Sequence, residues 1–414
     1  MNSVIHIGDE AMFEEFVTQA RQRGVLQITG ISSAPADTAA RYGIESVQRM
    51  GFAATHFVTR AARQDRLDRI LRTADGQVGL LEPSDPAIGV ISVIAASEGV
   101  AISGGGNLSS IWPENIYERV AFAGVARILG RPLVVSGQTI GPVLFGQDIE
   151  LVAGLLASAA LVGLREPASF ALVEAFARDG NWLAHSPRIQ KTVDDASYLG
   201  FAADAEDSGP ASGEQYCVVT LASHIGTLDE HGRTESGFSN DQYIESVAAL
   251  LDHIATTTGL GIRFLAHFGS TDLAVAIGDT LVHERVMARL RVAVCTIVPT
   301  TDAISAAAVA RHAALVVTSR YHPAVFAVSA GVPTIGIPVD DYTTDKLAGA
   351  LGNFGQNALL PAHELVDGKG AALVSAVWQD REGIRSSGAA RSATNRVASA
   401  VWWDDVMVVL ASTQ

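Results

Sequence analysis

Short apolar runs alternate with longer amphipathic stretches along most of this 414-residue chain, and that alternation limits the fold more than any other feature. Asp9–Arg23 places Ala11, Met12, Phe16, Val17 and Ala20 on one helical face, and Val25–Thr29 follows as a strand. Pro86–Ser97 predicts a helix, and Gly99–Ser103 a strand that runs into glycines. Pro113–Leu129 predicts a helix stopped by Gly130, with the strand Pro132–Ser136 behind it. Gln147–Ser158, Leu161–Arg165 and Pro167–Arg178 continue the series as helix, strand and helix. Such a series builds a parallel sheet with helices on both faces.

The series breaks at Phe201–Gln215, FAADAEDSGPASGEQ, an acidic stretch rich in Ala, Ser and Gly that reads as an interdomain linker. It then restarts with strand Tyr216–Leu221, helix Asp241–Thr258, strand Gly261–Ala266 and helix Asp272–Leu290. Strand Val292–Val298, helix Asp302–His312, strand Ala314–Thr318, helix Pro323–Ala330 and strand Pro333–Ile337 complete it. The expected division is an N-terminal α/β domain over 1–200, a linker over 201–215 and a C-terminal α/β domain over 216–385. A helix over 386–414 carries Trp402 and Trp403 and is expected to pack back on the N-terminal domain. Two Rossmann-like domains facing each other place a central cleft between the C-terminal ends of their strands.

Charge narrows the partners. With 29 Lys and Arg against 44 Asp and Glu, the formal charge is −15, which argues against a nucleic-acid partner. An anionic ligand must be held by local cations against that field. Cys217 and Cys295 are the only cysteines and form no metal or redox motif, which points to a reducing compartment. Met1–Val17 carries Asp9, Glu10, Glu14 and Glu15, without the basic and apolar regions of a signal peptide. Leu151–Leu164 is uncharged but too short to span a bilayer. The expected location is the cytoplasm, with at most peripheral membrane contact.

Four segments at strand ends can carry chemistry. Ser103-Gly104-Gly105-Gly106-Asn107-Leu108 lets backbone N–H groups approach a ligand closely, although a ligand-free tight turn reads the same way. In Ser136-Gly137-Gln138-Thr139-Ile140-Gly141-Pro142, Gln138 and Thr139 can hydrogen-bond sugar hydroxyls, or the segment is simply a Gly-Pro turn. Gly163-Leu164-Arg165-Glu166-Pro167 offers an arginine to the cleft, or an arginine paired with glutamate. The sharpest is Thr318-Ser319-Arg320-Tyr321-His322-Pro323 between a strand and a helix. There Ser319 can cap the helix, Arg320 offers a bidentate fork, and His322 exchanges a proton near neutral pH.

The set SGGGNL, SGQTIGP, GLREPAS and SRYHPAVFAVSAGVPTIGI, in this order, resembles the polysaccharide pyruvyl transferase family. Ile7-Gly8-Asp9-Glu10-Ala11 is similar to that family's N-terminal Gly-Asp-Glu-Ala element, although His6 stands where the family has Asn. The resemblance spans about Ile7 to Ile337. It implies an α/β fold of two Rossmann-like domains, GT-B-like, and transfer of pyruvate from phosphoenolpyruvate onto two sugar hydroxyls as a cyclic ketal. It further implies that Arg165, Arg320 and His322 line the phosphoenolpyruvate site, with His322 as general acid; the turn adds Ser319 to the donor contacts, and Asp9 is a candidate base. Gly105, Gly106, Asn107, Trp112, Gln138 and His267 are the acceptor contacts expected. The acceptor is a polysaccharide, a lipid-linked oligosaccharide or a glycoside. No cofactor and no metal site are expected, phosphoenolpyruvate being a co-substrate. The rival readings are a nucleotide-sugar glycosyltransferase or epimerase of the same architecture, and an inactive sugar-binding homologue. Retaining members of the first class often place two glutamates in the C-terminal domain, whereas this chain has none between Glu284 and Glu364.

Overall fold

The computed structural model describes residues 4–54, 56–179, 188–201, 215–230, 232–272 and 275–412. The chain opens with β1 (Val4–His6) and α1 (Ile7–Gln22), then β2 (Thr29–Ser32), α2 (Pro35–Tyr42) and β3 (Glu45–Gln48). Helices α3 (Arg60–Ala74) and α4 (Pro86–Ala96) lead to β4 (Val100–Ile102), β5 (Gly105–Leu108), α5 (Pro113–Ile128) and β6 (Leu133–Ile140). Next come α6 (Gln147–Ala157), β7 (Leu161–Leu164), α7 (Pro167–Asp179) and β8 (Arg188–Lys191). The second series runs β9 (Tyr216–Thr220), α8 (Asn240–Thr258), β10 (Gly261–Leu265), β11 (Phe268–Ser270), α9 (Asp279–Met287) and β12 (Cys295–Val298). It continues with α10 (Ala303–Arg311), β13 (Leu315–Thr318), α11 (Tyr321–Ser329), β14 (Thr334–Gly336) and α12 (Asp341–Asn353). Helices α13 (Ala362–Val366), α14 (Gly370–Gln379) and α15 (Arg381–Leu410) close the chain.

Two compact units result. The first comprises Phe13–Asp195 with Ala398–Gln414, and the second Asn2–Met12 with Ala196–Val397. The opening residues therefore group with the second unit, because β1 pairs antiparallel with β11 in the register His6↔Phe268. The linker expected over Phe201–Gln215 lies, apart from its two end residues, outside the described residues.

In the first unit the parallel sheet has the order β4-β6-β7-β8, with β5 also pairing β6. All eight residues of β6 are buried, as expected of a strand covered on both faces. Trp402 and Trp403 of α15 pack with Phe16, Val134 and Leu161 in this unit. A methyl group at Gly163 would lie 2.5 Å from Cζ2 of Trp402, so glycine is what lets the indole lie on β7. The indole Nε1 donates to Ser136 Oγ at 3.0 Å.

In the second unit the five strands are all parallel, in the order β12-β10-β9-β13-β14. Cys217, Val219, Leu315, Val317 and Ile335 from three of its strands join Val247 and Leu251 of α8 in one core. The helix expected over Asp272–Leu290 is shorter, Asp279–Met287. Gly278 sits at φ 58°, and a side chain there would strike Phe268, with Cδ1 at 2.6 Å. The turn of β11 into α9 thus requires glycine, and the helix begins after it. No described helix is long and apolar enough to cross a membrane.

Candidate functional site

The second unit holds its polar side chains at the C-terminal ends of β9, β10 and β13, the edge where α/β sheets bind ligands. Strand β13 ends at Thr318, whose Oγ donates to the Thr220 carbonyl at 3.0 Å and accepts from the Arg320 N–H at 2.9 Å. That pair of bonds fixes the turn into α11. The N-cap of α11 is Arg320, and no side chain caps it. Ser319, expected to cap this helix, instead accepts from the Ala222 N–H at 2.8 Å, because it stands one residue before the cap, facing β9. Every residue of α11 is buried, so the helix is a fixed platform. The positive end of its helix dipole favours an anion.

Arg320 is held from one side. Its Nε lies 3.1 Å and its Nη2 2.5 Å from Oδ1 of Asp279, a fully buried carboxylate. Asp279 also accepts the backbone N–H groups of His267 and Phe268, at 3.1 and 2.9 Å. The Arg320 side chain keeps 26% of its surface open.

His322 follows in the first turn of α11 and is 8% exposed. The Tyr321 ring meets it edge-on with centroids 5.1 Å apart, and Phe326 lies 6.1 Å away. His267 flanks Phe326 at 5.9 Å, is 3% exposed, and has no hydrogen-bond partner on either ring nitrogen. Burial, with the His322 and Arg320 charges, holds its pKa well below the usual histidine range. His283, buried under Phe264, is pushed down to about 4 by burial, and its Nε2 accepts the Leu221 N–H at 3.0 Å. Both imidazoles are therefore neutral at pH 7. His224, after β9, pairs instead with Asp340 at 3.3 Å.

The N-terminal element reaches the same unit. The Ile7 N–H donates to the His267 carbonyl at 2.8 Å, and Gly8 lies against the His322 ring. Asp9, the next residue, leaves 70% of its side chain open and meets His6 at 3.5 Å.

The remaining candidates belong to the first unit. Arg165 is 1% exposed, and its Nε donates to Thr139 Oγ1 and Glu166 Oε1, both at 2.9 Å. Its Nη1 meets Asp194 at 2.5 Å. Thr139 donates to the same Glu166 oxygen at 2.8 Å. An arginine enclosed in this way holds the ends of β6 and β7 together, with Nε and Nη1 on carboxylates. Asp195, one residue on, is 6% exposed and accepts from Ser136 Oγ at 2.8 Å. Burial, reinforced by the Asp194 charge, raises its pKa to about 7.

The glycine segment, read as a loop, is the short strand β5, pairing Gly105 with Gln138 and Leu108 with Ile140. Gly105 has φ 144°, and a methyl group there would lie 3.2 Å from both Asn107 Oδ1 and Gln138 Oε1. Neither oxygen has a donor, and both are buried. Gly106 follows in β5, and Trp112 stands at the N-cap of α5. Gly105, Asn107 and Gln138 thus meet in the first unit, which also carries Gly106 and Trp112, while His267 belongs to the second. Sequence reasoning missed Asp279, Gly8 and Asp195. Asp279 follows a helix-starting glycine, but nothing in its spacing ties it to Arg320, 41 residues on.

The fold is that of GT-B glycosyltransferases and related epimerases, two Rossmann-like α/β units. The chain is similar to UDP-GlcNAc 2-epimerase from Methanocaldococcus jannaschii, at 10% identity and a TM-score of 0.52, covering 87% of this chain and 88% of that one. It is similar to MnaA of S. aureus, solved with UDP, at 11% identity and a TM-score of 0.54 over 92% and 87% of the two chains. Spinosyn rhamnosyltransferase SpnG matches at 13% identity and a TM-score of 0.51 over 97% and 96%. These likenesses concern the fold. No curated protein matches the chain by sequence. The sequence profile of the polysaccharide pyruvyl transferases matches residues 6–341, and the chain belongs to that family.

Proposed function

We propose that the protein transfers pyruvate from phosphoenolpyruvate onto two hydroxyls of a sugar acceptor, forming a cyclic ketal. Family membership supports the transfer. The observation that carries the donor assignment is the turn Thr318–Pro323, where Arg320, steadied by Asp279, stands beside His322 at the start of a buried helix. Phosphoenolpyruvate carries a carboxylate and a phosphate. An acidic chain binds such a ligand through a local cation at the positive end of a helix, as this turn provides.

His322 is the acid in this reading. It delivers a proton to the methylene carbon, and cationic character develops at C2. One sugar hydroxyl adds at C2 and gives its proton to Asp9, whose open carboxylate follows the glycine that touches His322. The second hydroxyl then displaces phosphate and closes the ketal, its proton leaving with the phosphate. Carbon is neither oxidised nor reduced, and inorganic phosphate is the only leaving group. Arg320 steadies the phosphate as the C–O bond breaks. Asn107 and Gln138 offer acceptor oxygens to sugar hydroxyls, around the space left by Gly105. Gly106, in the same strand as Gly105, and Trp112, at the start of α5, complete the acceptor contacts of this reading. Arg165 supports the reaction through Thr139, Glu166 and Asp194, by fixing the strand ends of the first unit.

The test is phosphate release from phosphoenolpyruvate with a panel of glycosides and oligosaccharides, beside hydrolysis of UDP-sugars. The reading expects phosphate release only with an acceptor present, and a product heavier by one pyruvate less one water. Turnover of a UDP-sugar with phosphoenolpyruvate untouched would replace it with a glycosyltransferase or epimerase.

A further inference from the structure

Gly8 lies in the first turn of α1 with helical backbone, outside the left-handed region that asks for glycine. Glycine is a weaker helix former than alanine, so its neighbour must supply the reason. A methyl group on Gly8 would strike Nδ1 of His322 and lie 2.7 Å from Cε1 and 3.0 Å from Cγ. Three atoms of one imidazole would fall inside van der Waals contact.

Neither side can withdraw. His322 rides on a helix buried at every residue, with Tyr321 against its ring and Phe326 beyond. The segment bearing Gly8 is fixed by the β1–β11 pairing and by the Ile7–His267 bond. Close-packed interiors transmit such a collision into a displaced side chain.

We propose that Gly8 is a positioning residue for His322: its missing side chain lets the first turn of α1 form one wall of the imidazole's seat. The wall sets the direction in which the ring presents its nitrogens. On this account the Gly-Asp-Glu-Ala element works at the donor site of the second unit. The catalytic consequence rests on the reading of His322 as the acid, while the contact itself does not.

The experiment compares Gly8→Ala, His322→Ala and the double variant by thermal melt, by steady-state kinetics and by the imidazole NMR signal assigned through His322→Ala. Gly8→Ala should move the His322 signal and lower kcat about 10²-fold, with a smaller change in the KM for phosphoenolpyruvate. Added to His322→Ala, it should cost no further turnover, because the ring it displaces is gone. If Gly8→Ala fails to fold, the double variant, which removes the collision, should fold again. An unmoved His322 signal, additive losses, or a double variant no more stable than Gly8→Ala would each overturn the proposal. A moved signal in a protein that turns over no phosphoenolpyruvate would uphold the positioning and remove the function instead.

Discussion

Oδ1 of the buried Asp279 receives both Nε and Nη2 of Arg320, at 3.1 and 2.5 Å, while the arginine side chain as a whole stays partly open. The pair explains how an acidic chain presents one oriented cation at the start of α11. Asp279 also accepts two backbone N–H groups where β10 leads into β11, so it fixes the arginine and the chain around His267 together.

Asp279→Ala should therefore cost about 3 kcal/mol of stability, because it strips the acceptor from four donor groups. It should also weaken phosphoenolpyruvate binding, because Arg320 loses its aim. Asp279→Asn keeps part of the bonding and should cost less. Urea unfolding with a phosphoenolpyruvate titration measures both effects. An Asp279→Ala protein with wild-type stability and affinity would show the pair to be incidental.

Arg165 should behave differently. Removing a fully buried arginine leaves Glu166 and Asp194 without their cation, and breaking such a network costs about 3–5 kcal/mol. Arg165→Ala should lower the melting temperature strongly, and Arg165→Lys should not rescue it, since an ammonium cannot replace the fork. A stable Arg165→Ala protein that has lost only phosphoenolpyruvate affinity would return this arginine to the donor site.

Much of this architecture was readable in advance, and the failures have physical causes. Helices with strong periodicity and clear ends, such as Pro113–Ile128 and Gln147–Ala157, lie within a residue of expectation. Strand β6 runs through Ile140, whereas the expected strand ends at Ser136. Gly137 takes φ 55° within the strand, and a side chain there would meet the Asp195 carboxyl at 2.6 Å. That glycine marks a close approach, which local sequence does not distinguish from a turn. The Arg-Tyr-His turn was legible because its residues are contiguous. Asp279 and Gly8 were not, because tertiary packing alone brings them to Arg320 and His322.

Asp195 gives a pH signature. Its carboxyl has a pKa of about 7 in the folded protein, against 3.8 for the unperturbed group. Burial and Asp194 raise it, Glu15 adds to the rise, and Ser136 and Arg165 oppose it. The folded state therefore holds a proton that the unfolded state has released between about pH 4 and 7. Its contribution is full below pH 4 and is lost as the pH rises through 7. Asp195→Asn, which fixes the neutral form, should flatten the fall in melting temperature between pH 5 and pH 8. Equal slopes in the two proteins would show that Asp195 titrates normally.

The central claim is that His322 protonates the donor, and steady-state kinetics of His322→Gln tests it most directly. Phosphoenolpyruvate should raise the melting temperature of wild type and of His322→Gln alike, since binding to the native state stabilises it. The variant should fold normally and lose on the order of 10²–10⁴ in turnover at saturating phosphoenolpyruvate. Near wild-type turnover by folded His322→Gln, or a loss confined to stability and donor affinity, would contradict the account.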